Sequence, residues 1–160
     1  MGITQETLKN GKVLRALVHQ FLTEQNQQNL LAILKCLRDS YVWIPCNVNI
    51  SEADTEQFLN AQVGDTVTSA EDIRFTPDIL QNGDLFYFPV FSNCDQMGTD
   101  YGNHFSKIEK HFFEAMSLAN ARENVEGIVL DAFTQPFIVK KDLFDIIGKL
   151  PSSLEINENE

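Results

Sequence analysis

Residues 126–147 change their apolar spacing partway along, and that change constrains the fold more than any other feature of the chain. Gly127-Ile128-Val129-Leu130 is a short apolar run rich in β-branched side chains and led by a glycine. Residues 132–136 interrupt it, and Phe137-Ile138-Val139 resumes the pattern. Leu143, Ile146, Ile147 and Leu150 then fall at i, i+3, i+4 and i+7, so the spacing predicts strand, turn, strand and helix. An earlier run, Leu85-Phe86-Tyr87-Phe88-Pro89-Val90-Phe91, is apolar at nearly every position, as in a strand covered on both faces. We expect these two runs to be neighbouring strands of one sheet shielded by helices.

A chain of 160 residues, 43% of them hydrophobic, is long enough to bury one sizeable core, and a single domain is expected. No apolar run approaches the roughly 18–20 residues that span a bilayer. The opening Met1-Gly2-Ile3-Thr4-Gln5-Glu6 has neither the basic nor the apolar region of a secretion signal, which points to the cytoplasm. Met1-Gly2 suits myristoylation, but Glu6 stands where Ser or Thr is wanted. Twelve basic against twenty-three acidic residues leave a formal charge of −11. Such a field repels phosphates, so neither nucleic acid nor an anionic membrane is expected as a partner. The charge either keeps the protein soluble or attracts a basic protein. Cys36, Cys46 and Cys94 form no Cys-x-x-Cys pair, which argues against a disulfide framework or a thiolate zinc site and for reduced thiols.

Along the chain, Leu14, Leu17, Val18, Phe21 and Leu22 define a helical stripe that Asn10 could cap. A second helix begins near Asn26 with Leu30, Ile33, Leu34 and Leu37 on its apolar face, and the short connection predicts an antiparallel pair. His19 lies beside the first stripe and reads as a half-buried or surface residue rather than a ligand. Tyr41-Val42-Trp43-Ile44-Pro45 reads as a strand whose edge or end is marked by Pro45. Residues 47–70 are polar and acidic, with Ser51-Glu52-Ala53-Asp54 able to open a helical turn through Leu59. Residues 73–80 and 85–91 flank Asn82-Gly83, the signature of a type I′ hairpin, with Pro77 placing the first arm at an edge or bulge. Ser92-Asn93-Cys94-Asp95 could begin a short turn ended by Gly98. Phe105, Ile108, Phe112, Met116 and Ala119 fit a helix, yet residues 106–110 also alternate as a brief strand. Residues 151–160 carry three glutamates and read as an acidic, flexible tail.

Two of these pieces together resemble a bacterial family. Leu85-Phe86-Tyr87-Phe88-Pro89-Val90-Phe91-Ser92, after Asn82-Gly83-Asp84, is similar to the hydrophobic-x-Pro-Val-Phe-Thr/Ser strand of SseB-like proteins. Gly127-Ile128-Val129-Leu130-Asp131-Ala132-Phe133, with Phe137-Ile138-Val139 and the last helix, resembles their strand, Asn-Pro turn, strand and helix; here Asp131-Ala132 stands in place of Asn-Pro. Asn29-Leu30 through Trp43-Ile44-Pro45 is similar to the family's opening helix and Val-x-Val-Pro strand. The similarity covers residues 26–150, leaving 1–25 as an N-terminal helix. The resemblance implies an SseB-type α+β domain over 1–150, with a mixed β-sheet, packed helices and an N-terminal helical pair. It also implies a short strand at 106–110 ahead of a helix at 111–121. It supplies no catalytic residues and no cofactor.

For chemistry, the densest reactive group is the loop 94–104. Cys94, His104 and Asp100 are the residue types of a thiol hydrolase: nucleophile, base and orienter. His104 and His111 are seven apart with Glu114 three beyond, a spacing unlike the i, i+4 pairs that share a metal, and no metal is expected. No glycine-rich phosphate loop occurs, so no nucleotide cofactor is expected. Asp142 and Asp145 read as a solvated helix face. Twelve phenylalanines, most of them in the second half, belong to the core or to a partner or homodimer surface. The leading expectation is a non-catalytic, cytosolic SseB-like interaction module with an unidentified protein partner. The alternatives are a thiol hydrolase on Cys94 and an immunity-like protein that binds a basic toxin.

Overall fold

The polar residues 24–26 break the first helical pattern in two, and the computed structural model, which describes residues 4–50 and 73–154, turns there. The segment holds α1 (Gln5–Leu8), a 3-10 turn (Lys9–Gly11), α2 (Lys12–Thr23) and α3 (Gln27–Arg38). Asn26 caps α3, its side chain accepting from the Asn29 amide at 2.8 Å. Asn10, expected to cap α2, does not. It and Gly11 both adopt left-handed backbone, φ 63° and 70°, and the helix begins without a side-chain cap. The cause is close packing: a Cβ on Gly11 would lie 2.5 Å from the Ser92 Cβ, so the start of α2 rests directly on a distant turn.

The remaining elements are β1 (Tyr41–Ile50), β2 (Ile73–Pro77), β3 (Leu80–Asn82), β4 (Leu85–Val90), α4 (Thr99–Gly102), β5 (Ser106–His111), α5 (Phe112–Asn120), β6 (Val125–Leu130), β7 (Phe137–Lys140) and α6 (Lys141–Lys149). They form an α+β arrangement with two sheets, ordered β2-β1-β5 and β3-β4-β6-β7. β4 and β6, the two apolar runs, are hydrogen-bonded neighbours and run parallel, with Phe88 opposite Ile128 and Val90 opposite Leu130. The crossover between them is long enough to hold α4, β5 and α5, as a parallel pair requires. β7 returns antiparallel to β6. Gly127 is there for space: a Cβ would run into the Val139 carbonyl of β7. Among the described residues a single antiparallel bridge joins the sheets, with Trp43 N–H donating to Phe91 O at 2.8 Å and Phe91 N–H to Trp43 O at 2.9 Å.

Local patterns needed correcting wherever a remote partner intervenes. The expected hairpin arm 73–80 is two strands: β2 pairs with β1, and only β3 pairs with β4. Asn82 remains in the ladder opposite Leu85, so the turn is Gly83-Asp84. Of those two only Gly83 has positive φ, 63°, which is the type II′ pattern rather than type I′. Pro45 does not end its strand. Its carbonyl accepts from Asp78 N–H, so the side on which it lacks a donor is the side where the β2 ladder gives out. Residues 106–111 are a strand because they pair with β1 along its first half, and the helix starts only at Phe112. The strand followed by helix is the order that the SseB resemblance implies.

The core lies between the helices and the inner faces of the sheets. Ile33 and Leu37 of α3, Phe88 and Val90 of β4, Ile128 and Leu130 of β6, Phe112 of α5 and Ile147 of α6 are fully buried within it. Phe91 and Phe112 are buried and Phe133 is half-exposed. The first part of the expected flexible tail is held in place: Ser152 Oγ and Ser153 N–H both donate to the Asp39 carboxylate, at 2.7 and 2.8 Å. The helical turn expected after Ser51, and residues 155–160 of the tail, lie outside the described residues. Among the described residues no helix is long and apolar enough to cross a membrane.

Candidate functional site

Where β4 and β6 end side by side, the chain leaves the sheet at Phe91-Ser92 and at Asp131. Ends of adjacent parallel strands leave backbone groups and loop side chains free to converge. Asp131 N–H extends the ladder by one bond, to Val90 O at 3.0 Å, and its backbone then turns left-handed at φ 50°. Aspartate is one of the few side chains that tolerate that conformation. Its carboxylate points back at β4: Oδ1 accepts from Ser92 N–H at 2.8 Å and Oδ2 from the Ser92 hydroxyl at 2.7 Å. Arg15 of α2 completes the group, with Nη1 donating to Ser92 Oγ at 2.9 Å and to Asn10 O at 2.6 Å.

Ser92 and Asp131 are each 2% exposed, so this is a polar knot inside the protein. Burial pushes the Asp131 carboxyl pKa up, against the Ser92 hydrogen bonds and the Arg15 charge, which lower it. The serine hydroxyl donates directly to a carboxylate, and no imidazole takes part. The arrangement clips α2 to the ends of both parallel strands.

Beside the knot lies a cleft of about 650 Å³, lined by Gln5, Glu6, Asn10, Tyr41, Trp43, Ser92 and Glu109. Trp43 and Glu109 are register partners of β1 and β5 and therefore stand side by side on one face. Tyr41, two residues before Trp43 on the same face, is 48% exposed and packs edge-on to His111 at 5.2 Å. An aromatic cluster flanks the knot: the Tyr101 ring lies 4.7 Å from Phe105 and 4.8 Å from Phe133. Tyr101 OH donates to Asp78 Oδ2 at 2.6 Å; burial raises its pKa, and that bond raises it further.

Cys94, His104 and Asp100 occupy the turn region before β5. His104 Nδ1–H donates to the Asp100 backbone carbonyl at 2.6 Å, so the bond between them leaves the Asp100 carboxylate out. Cys94 opens a 3-10 turn (Cys94–Met97), and burial pushes its thiol pKa up, with Lys107 opposing and Asp95 and Glu109 reinforcing. A raised pKa is the reverse of what a thiolate nucleophile needs. His111 is the cap of α5, its Nδ1 accepting from Phe113 N–H at 3.1 Å, and burial followed by the Arg38 charge lowers its pKa. Asp142 and Asp145 are exposed on α6. Among the described residues no group of three or more His, Cys, Asp or Glu side chains is placed to hold a metal ion.

Arg15, Ser92, Asp131 and the cleft residues were not visible in the sequence as a group. The one local hint was Asp131 itself, an aspartate that tolerates left-handed backbone where a buried strand ends, and nothing in it indicated Arg15, Ser92 or the cleft. Comparison with protein-family models, curated proteins and solved structures returned no match for this chain.

Proposed function

We propose that the chain is a non-catalytic, cytosolic interaction module of the SseB type, acting through its acidic exterior on a protein partner. The observation that carries this reading is the closed hydrogen bonding of the buried polar group. Ser92 gives its hydroxyl proton to Asp131 and receives from Arg15, so the most enclosed reactive side chains hold the fold together. The order of strands and helices over 85–149, with β4 beside β6 and a strand ahead of α5, also agrees with the family resemblance. A formal charge of −11 favours a basic partner.

The test has two parts. Alkylation of Cys94 near neutral pH should proceed no faster than that of an ordinary exposed thiol, because its pKa is raised; unusually fast labelling would favour the thiol hydrolase instead. Capture from native extract on the immobilised chain, repeated at increasing salt, should retain a basic protein that salt releases. Repeated failure to retain any protein, for a chain that is monomeric by sedimentation, would remove the proposal.

A further inference from the structure

Resting on the reading of the chain as an interaction module, we propose that the cleft beside Ser92 holds an arginine or lysine side chain presented by a basic segment of the partner. Two carboxylates, Glu6 and Glu109, and two aromatic rings, Tyr41 and Trp43, line the same cavity. No residue forms an ion pair with either carboxylate among the described residues. The lining residues among those described include no lysine or arginine. A hard metal ion would want several oxygen ligands converging at one point. Aromatic rings beside carboxylates that form no ion pair among the described residues instead match a side-chain cation, held by ring quadrupole and charge together, with tryptophan the strongest ring for the purpose.

The surrounding cations leave room for such a guest. Arg15 approaches the Ser92 end of the cleft, but its Nη1 is engaged by Ser92 Oγ and Asn10 O, which directs an incoming cation toward Glu6, Glu109 and Trp43. The stem of Lys107, on the same face of β5 as Glu109, lies against Gly102. His111 beside Tyr41 accepts a backbone hydrogen bond on Nδ1, as a neutral ring does. The cavity, about 650 Å³, lies within the range of roughly 300–1,000 Å³ that holds small ligands, more than one cationic side chain fills. Gln5 on the rim can bond the adjoining peptide backbone.

Trp43 is the only tryptophan of the chain, so its fluorescence reports on the cleft directly. The full chain should be titrated with an acetylated, amidated Gly-Arg-Gly-Arg-Gly peptide, with its citrulline counterpart and with free arginine amide. The expected result is a saturable change with the arginine peptide and binding weaker by about tenfold or more for citrulline, which keeps the shape and loses the charge. Glu109→Gln and Glu6→Gln should each weaken the arginine peptide by about tenfold, Glu109→Asp should recover part of the loss, and Asp145→Asn on the distant α6 should bind as the parent chain does. Unchanged melting temperatures for these surface variants will show that the fold is intact.

Equal binding of the citrulline peptide, parent-like binding by both Gln variants, or an equal loss in Asp145→Asn would each overturn the proposal. Free arginine amide binding as tightly as the peptide would overturn the protein partner as the source of the cation. A native partner retained equally by the parent chain and Glu109→Gln would overturn the cleft assignment and leave the interaction module standing, whereas a chain that retains neither peptide nor protein would lose both.

Discussion

Asp131 combines three costs at one position: a buried carboxyl, a left-handed backbone and a place at the end of a buried strand. Each is offset by a specific partner. The Ser92 amide and hydroxyl satisfy the two oxygens, and Arg15 supplies a nearby positive charge. Asp131→Ala would leave the buried Ser92 N–H unpaired and put alanine at positive φ, a combined loss of about 2–4 kcal/mol in chemical denaturation. Asp131→Asn keeps an acceptor and tolerates the backbone, so its loss should be about 1 kcal/mol or less near pH 4. Because burial raises the folded pKa of Asp131 above its ordinary value, the stability tied to the neutral carboxyl is fully present below the unfolded pKa. It is lost as pH rises through the folded pKa. The Asn variant lacks this ionisation, so the stability difference should shift in its favour as pH is raised across that window. A difference independent of pH would contradict the burial argument.

At the scale of elements, several segments owe their state to what they pair with. The spacing of β5 suits a helix and a strand alike, and pairing with the first half of β1 makes it a strand. The end of the chain behaves similarly. Pro151 to Leu154 follow the last helix, α6, and are tied to the turn after α3, through the Asp39 carboxylate and through Arg38 Nε donating to Leu150 O at 2.9 Å. Asp39 is 3% exposed, and Asp39→Ala would leave Ser153 N–H without its acceptor. We expect a loss of about 1–3 kcal/mol and faster proteolytic trimming back to Leu150, read by mass spectrometry. Trimming at the parent rate would show that the clip does not restrain the segment.

For the molecule as a whole, charge and connectivity act in different ways. Among the described residues the two sheets share one bridge, Trp43 to Phe91, and the helices cover both, so apolar burial carries the joint. Ion pairing adds little: among the described residues the side chains pair only as Arg38–Asp39, at 3.5 Å, and Lys110–Glu114, at 3.4 Å. With a formal charge of −11 and only these two pairs among the described residues, self-repulsion is expected to be the main electrostatic influence on stability. Raising salt from about 20 mM to about 150 mM, which shortens the Debye length toward 8 Å, should therefore raise the melting temperature by a few degrees. A fall in melting temperature would mean that attractive pairs dominate.

What the amino-acid order determined by itself is local and periodic. It specified two helices parted at Asn26 and the glycine-led strand followed by turn, strand and helix. Each follows from a short window, because the spacing of apolar residues dictates which face must be buried. What only the tertiary structure decided depends on residues far apart in the chain. Pro77 parts two strands of different sheets, Gly11 rests on Ser92, and Arg15 reaches Ser92 across 77 positions while Ser92 reaches Asp131 across 39. Periodicity states that a face needs covering, but the choice of cover is settled by the sum of contacts over the whole chain. A buried polar knot, and the acidic, aromatic cleft beside it, come into being only once that choice has been made.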